Sequence, residues 1–237
     1  MDIYAFVVLG VIIGYLIGSI PFALVIGKIF YKVDVRNYGS KNLGATNVTR
    51  TLGVLAGIIV LLLDLFKGGL PAFIFYKIAE NTIINNPNLI HQAEYLSIVY
   101  CVTGVFTCLG HCHPVFAGFR GGKAVASICG FLLFMNIWLF IIGLTTYLII
   151  VLITKIVSIS SISAAFTVLI SSFIPIFKDC YLFTHNELNN TLSLFIYYMT
   201  VVFLALLLIY RHIPNINRLL KGQEKKFHIE KVNKKDK

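Results

Sequence analysis

Charge is what this sequence has least of. Only 13% of its 237 residues are charged, about half the share, roughly 25%, that a water-facing globule carries. That shortage excludes an ordinary soluble domain. Acidic residues are the scarcer sign, with 10 Asp and Glu against 20 Lys and Arg. A site built on clustered carboxylates, as a Mg²⁺-dependent phosphotransferase requires, is therefore excluded as well. The N-terminus lacks the basic lead and small-residue cleavage site of a signal peptide, so its apolar run reads as a retained first helix. Five cysteines (Cys101, Cys108, Cys112, Cys129, Cys180) fall mostly within or beside apolar segments. They show no disulfide framework and read as small buried hydrophobes. No internal repeat of the kind that marks a transporter's inverted halves is visible.

What the chain has in abundance is apolar sequence: 58% hydrophobic residues and a mean hydropathy of +0.86. The apolar residues run in blocks near the roughly 20 residues of a bilayer crossing. These blocks predict an all-α, polytopic integral membrane protein. Crossings are expected near 3–25, 54–79, 94–110, 157–177 and 192–210. A further apolar stretch runs from Ala124 to Ile153. As one helix it would be about 45 Å long against a hydrocarbon core of roughly 30 Å.

Basic residues resolve that stretch. Lys28, Lys32, Arg36, Lys41 and Arg50 lie in the first connection, Arg120 and Lys123 after the third crossing, and Lys155 after the long stretch. Nine more lie from Arg211 to Lys237. Basic loops stay in the cytoplasm, and all four groups share one side only if 124–153 crosses twice. A break near Asn136 then gives seven transmembrane helices, with the N-terminus outside and the C-terminus cytoplasmic. The polar connections 80–93 and 178–191 fall outside. Residues 1–210 form the transmembrane unit, and 211–237 form a basic cytoplasmic tail that carries the last motif. The net charge of +10 is thereby explained by topology, with no nucleic-acid partner.

The unusual polar residues gather on the cytoplasmic side. The first loop reads Gly39-Ser40-Lys41-Asn42-Leu43-Gly44-Ala45-Thr46-Asn47, then Arg50. Glycine turns can present successive amides to an anion, and Arg50 adds a planar fork suited to phosphate. A solvated loop with positive-inside charge would have the same composition. The second loop carries His111, Cys112 and His113, then Gly121-Gly122-Lys123 where a helix starts, an arrangement suited to cradling phosphate. Its spacing is not that of a nucleotide-binding loop. Adjacent His-Cys-His side chains cannot easily face one ion, so no metal is expected. Ser158, Ser160 and Ser161 open a later apolar helix, either as caps or as polar groups near the site. Arg211-His212 precede Pro214-Asn215, Arg218 and Glu224. His212 and Asn215 share a face if that segment stays helical. Asp64 and Lys67, three apart in an apolar segment, read as a structural ion pair ahead of a catalytic one.

Taken together and in order, several elements resemble the bacterial acyl-phosphate:glycerol-3-phosphate acyltransferase (PlsY) family. They are Gly18-Ser19-Ile20-Pro21, Gly39-Ser40 through Asn47 with Arg50, Asp64 with Lys67-Gly68, and Gly110-His111 with Pro114. Gly121-Gly122-Lys123, Ser158, and His212 with Asn215, Ile216, Arg218 and Glu224 complete the set. They span roughly residues 10–225. Two positions depart from the family pattern: Lys41 and Ala124 stand where glycine is common. The resemblance implies a seven-helix enzyme of the bacterial cytoplasmic membrane. It would transfer a fatty acyl group from acyl phosphate to the 1-hydroxyl of glycerol 3-phosphate, forming lysophosphatidic acid without a cofactor. It also implies a functional link to an enzyme that makes acyl phosphate. Ser40, Arg50, Gly121, Gly122 and Lys123 would hold substrate phosphate. Ser40, Ser158, His212 and Asn215 would form the catalytic group, and Asp64, Lys67 and Glu224 would be structural. The competing reading is a membrane transporter of a phosphorylated metabolite, which would also use cations and glycine-interrupted helices.

Overall fold

The structure is a computed structural model, and it describes residues 3–84, 92–174 and 191–227. The elements are α1 (Ile3–Gly18), α2 (Phe22–Tyr31), α3 (Ala45–Leu52), α4 (Val54–Ile84), α5 (Gln92–Cys112), α6 (Val125–Met135), α7 (Ile137–Thr154), α8 (Val157–Ser172) and α9 (Thr191–Leu220). Short 3₁₀ turns at Val35–Asn37 and Val115–Ala117 complete it, and there is no strand among the described residues. Among the described residues, five segments are long and apolar enough to cross a membrane: Tyr4–Tyr31, Val54–Thr82, Tyr95–Ala117, Ile137–Thr154 and Thr191–Leu220. Val125–Met135 and Val157–Ser172 are shorter apolar helices. Of the predicted outer connections 80–93 and 178–191, residues 85–91 and 178–190 lie outside the described residues, as do the tail residues beyond Phe227.

Large apolar side chains on α4, among them Leu55, Ile58, Leu62, Phe66 and Ile74, are exposed. In water that face would be a liability, whereas in hydrocarbon it is the expected lipid surface. With no hydrophobic drive between helices in lipid, close packing holds them together, and small residues permit it. Along α1, Gly14 and Gly18 lie against the Thr103 and Thr107 carbonyls of α5, where a Cβ would collide. The same device joins α4 to α6, where Gly68 lies against Ser127 and Gly130 against Leu65.

The break expected near Asn136 is present. Asn136 leaves the helical region (φ −154°, ψ 103°), and its side-chain oxygen accepts from the Trp138 and Leu139 amides, capping α7. The buried Asn136 side chain thereby pairs two of the amides left free where α7 begins. The first crossing differs from the single helix expected over 3–25. It breaks at Ser19-Ile20-Pro21, because Pro21 has no N–H and clashes with the preceding turn. The Ile20 carbonyl accepts from the Lys67 ammonium at 2.8 Å and from the Phe22 amide at 3.1 Å. Lys67 also lies 2.8 Å from Asp64, so the expected ion pair exists and additionally seals the break in α1–α2.

Candidate functional site

A cavity of about 1030 Å³ opens among the polar loop motifs. Its walls divide chemically. One part is cationic and polar, with Ser40, Arg50, Lys123, Ser158, His212 and Asn215. The other runs between helices and is apolar, with Leu61, Leu65, Ile128, Leu132, Leu144 and Leu204. Residues separated by more than 170 positions in the chain thus meet around one space.

The first loop reaches the cavity through a latch that the sequence alone does not show. Asn47 is buried at 1% exposure, and its side-chain oxygen accepts from the Ser40 amide at 2.8 Å. Its amide donates to Val35 and Tyr38 carbonyls. Ser40 is thereby fixed at the rim, and Arg50 projects from the last turn of α3 beside it. The Arg50 guanidinium also sits over the Phe227 ring, 5.8 Å from its centroid. Lys41 and Ala124 both adopt the left-handed conformation (φ 58°) that favours glycine. The two departures therefore keep the backbone that glycine would give, at roughly 1–2 kcal/mol each.

The second loop places Lys123, Ala124, Val125 and Ala126 on the cavity wall, but not Gly121 or Gly122. The two glycines expected to help hold phosphate thus stand behind Lys123 and not on the wall of this cavity. The Gly122 amide donates to the His111 carbonyl at 3.1 Å, and both glycines pack directly on His111, leaving no room for a Cβ. Their part is to bring Lys123 and the start of α6 to the wall. Lys123 is half-buried, and its amine is pushed down to about 8, chiefly by burial and by Arg218, Arg50 and Arg211 nearby, with Glu224 pulling it back up.

α9 stays helical through Pro214 to Leu220, so His212 and Asn215 do share a face. His212 is 1% exposed, and its Nδ1 lies 2.8 Å from the Leu208 carbonyl. A carbonyl only accepts, so this contact puts the proton of a neutral ring on Nδ1 and leaves Nε2 as an acceptor. Glu224, beyond the helix end, gathers three partners. Oε1 accepts from Ser158 at 2.8 Å and from Asn215 at 2.6 Å, and Oε2 accepts from Arg218 at 2.7 Å. Burial opposes its ionisation, but these hydrogen bonds outweigh burial and hold its pKa below the ordinary value. The serines are not caps: Ser160 and Ser161 donate to carbonyls one turn back, and Ile156 occupies the N-cap position of α8. The Phe227 amide donates to the Lys155 carbonyl at 2.7 Å, tying this part of the tail to the start of α8.

His111 faces Asp64, with Nδ1 3.6 Å from Oδ1, while Cys112 is buried separately. Among the described residues no three His, Cys, Asp or Glu side chains converge as a metal site. Sequence reasoning missed Arg211. Its guanidinium donates to the Gly122 carbonyl at 2.9 and 3.1 Å and to the Gly121 carbonyl at 3.3 Å. The only hint was its place beside His212.

Comparison with known proteins agrees with this architecture. The model of the family described as glycerol-3-phosphate acyltransferase matches residues 8–222. The chain is 40% identical over 219 residues to "Glycerol-3-phosphate acyltransferase 2" of Bacillus anthracis, covering 92% of this chain and 98% of that one. Among solved structures it is similar to PlsY, an integral membrane glycerol 3-phosphate acyltransferase, in its glycerol 3-phosphate form. That match has a TM-score of 0.74 at 35% identity and covers 94% of this chain and 96% of the other. The lysophosphatidic acid form of PlsY matches with a TM-score of 0.73 at 34% identity and the same coverage.

Proposed function

The chain belongs to the glycerol-3-phosphate acyltransferase family, and from that premise we propose that acyl phosphate is its donor and lysophosphatidic acid its product. The transporter reading is thereby set aside. The observation that carries the proposal is the divided cavity, whose cationic part suits phosphate and whose apolar part suits a fatty chain. In the reaction, the 1-hydroxyl oxygen of glycerol 3-phosphate bonds to the acyl carbonyl carbon. The bond from that carbon to the phosphate oxygen breaks, and the hydroxyl proton leaves with inorganic phosphate.

Arg50, Lys123 and Ser40 hold substrate phosphate. His212 accepts a hydrogen bond from the attacking hydroxyl through Nε2 and orients it. Ser158 and Asn215 position the reacting groups from their places on Glu224, whose carboxylate is structural. Acyl phosphate already carries a good leaving group, so positioning and charge stabilisation suffice and no covalent Ser40 intermediate forms. No metal or cofactor takes part. In support, the two carboxylates on the cavity wall are occupied, Asp64 by Lys67 and Glu224 by Arg218. Purified protein in proteoliposomes, given synthetic acyl phosphate and glycerol 3-phosphate, is expected to form lysophosphatidic acid at a rate unchanged by dialysis against chelator. A demand for acyl-CoA, or for stoichiometric Zn²⁺ or Mg²⁺, would overturn it.

The enzyme is proposed to reside in the bacterial cytoplasmic membrane and to draw its donor from an acyl-phosphate-producing enzyme. Its seven crossings include the short α6 and α8, with residues 1–210 as the membrane unit and 211–237 as the cytoplasmic tail. α6 starts at the cavity wall, so 11 residues, about 16 Å of helix, suffice from there to Asn136. Single cysteines at Tyr4 and Gln223 in a cysteine-depleted background should label from opposite sides, Tyr4 from outside. Labelling from one side would reject seven crossings.

A further inference from the structure

We infer that Arg211 is a positioning residue for the reaction, acting through the Gly121 and Gly122 carbonyls to hold Lys123 and the start of α6 against the cavity. The inference rests on the reading of Lys123 as a ligand of substrate phosphate.

The loop from Gly121 to Ala124 has almost nothing of its own to hold it. Two residues lack side chains, and Ala124 occupies a left-handed conformation that its Cβ disfavours. The loop is gripped from both sides instead. On one side the end of α5 takes the Gly122 amide, and His111 packs so tightly on both glycines that neither tolerates a Cβ. On the other side Arg211 takes both carbonyls, across 89 and 90 positions of sequence. Two successive carbonyls aimed at one guanidinium fix the plane of the intervening peptide. The left-handed Ala124 then turns the chain so that Lys123 through Ala126 line the cavity.

The planar fork matters here more than the charge. A guanidinium presents Nε–H and Nη–H in fixed geometry to two acceptors, whereas an ammonium is a compact point donor. Arg211 also precedes His212 directly on α9, so one turn of one helix sets both the phosphate loop and the histidine. The phosphate-binding lysine and the hydroxyl-orienting histidine, brought from distant parts of the chain, are held in register by this single side chain.

The test is a set of variants of the full-length protein in proteoliposomes: Arg211→Lys, Arg211→Ala, Lys123→Ala and the double Arg211→Ala/Lys123→Ala. Initial rates are measured against glycerol 3-phosphate with synthetic acyl phosphate, beside thermal midpoints in detergent. Both Arg211 variants are expected to lose roughly tenfold or more in kcat/KM, since a lysine restores charge but not the fork. The double variant should be no more than about threefold below Lys123→Ala alone, because a clamp has little left to aim once the lysine is gone. Arg211→Lys within about threefold of wild type would show that charge alone suffices and overturn the inference. So would a double variant whose loss is the product of the two single losses. Failure of both Arg211 variants to give folded, monodisperse protein would make Arg211 a brace of the fold and equally overturn it. Full activity in Lys123→Ala would instead overturn the phosphate assignment beneath it.

Discussion

Alanine at Arg50 or at Lys123 is expected to lower kcat/KM for glycerol 3-phosphate about tenfold to a hundredfold, the equivalent of roughly 1.5–3 kcal/mol for one lost charged hydrogen bond. Both side chains line the cavity, and each variant is expected to remain folded in detergent. Lys123 offers a sharper form of the same test. Its amine is pushed down to about 8 by burial and by the surrounding cations, opposed by Glu224. Below that pH the free enzyme carries the charge that phosphate needs. As pH rises through about 8 the ammonium is lost, and kcat/KM should fall. Lys123→Arg keeps its charge far above this range and should remove the alkaline fall even if its peak activity is lower. An identical alkaline limb in Lys123→Arg, or near-normal turnover in both alanine variants, would reject the assignment.

Replacing Asp64 by alanine should cost the protein its fold rather than its chemistry. Asp64 and Lys67 are buried at 2% and 6% exposure in the membrane segment of α4. Removing one partner of a buried pair leaves an uncompensated charge and costs about 3–5 kcal/mol. That is a large part of the roughly 5–15 kcal/mol that holds a typical domain together. Loss of monodisperse protein on size exclusion, or a steep fall in thermal midpoint, is the expected reading. The double variant Asp64→Leu/Lys67→Met removes both charges and should recover much of that loss. Recovery will be incomplete, because the Ile20 carbonyl loses the Lys67 donor and keeps only the Phe22 amide, a net loss of about 0.5–1.5 kcal/mol or more for one hydrogen bond. A single Asp64→Ala variant as stable as wild type would show that the pair does not hold the fold.

The same residues show which parts of the fold and site are legible in the amino-acid sequence. The helix break at Asn136 follows from arithmetic, since 30 apolar residues are too long for one crossing and the basic clusters demand an even number. The Asp64–Lys67 pair follows from spacing and the cost of charge in lipid. Pro21 is visible too, yet the apolar run around it reads as one helix because hydropathy does not register a missing N–H. Tertiary links are out of reach. Nothing local tells Glu224 to accept from Ser158, 66 positions away, or Arg211 to reach back to Gly121. Gly121 and Gly122 read as phosphate ligands by their place ahead of a helix, and their packing against His111 is visible only in three dimensions. Lys41 and Ala124 stand out in the sequence only as departures from a pattern, and only their backbone angles show that the glycine conformation survives.

The clasp at Glu224 has a consequence for how the enzyme comes into being. Translation delivers the chain from its N-terminus, and the helices up to α8 can enter the membrane while the ribosome is still working. A nascent chain halted at Tyr210 would hold Ser40, Arg50, Lys123 and Ser158, yet it would lack Arg211, His212, Asn215 and the carboxylate that binds α8 to α9. The residues made after Tyr210 complete the cavity wall and join α8 to α9. With the roles proposed for His212 and Asn215, a chain halted at Tyr210 is expected to be an empty scaffold rather than a weakened enzyme.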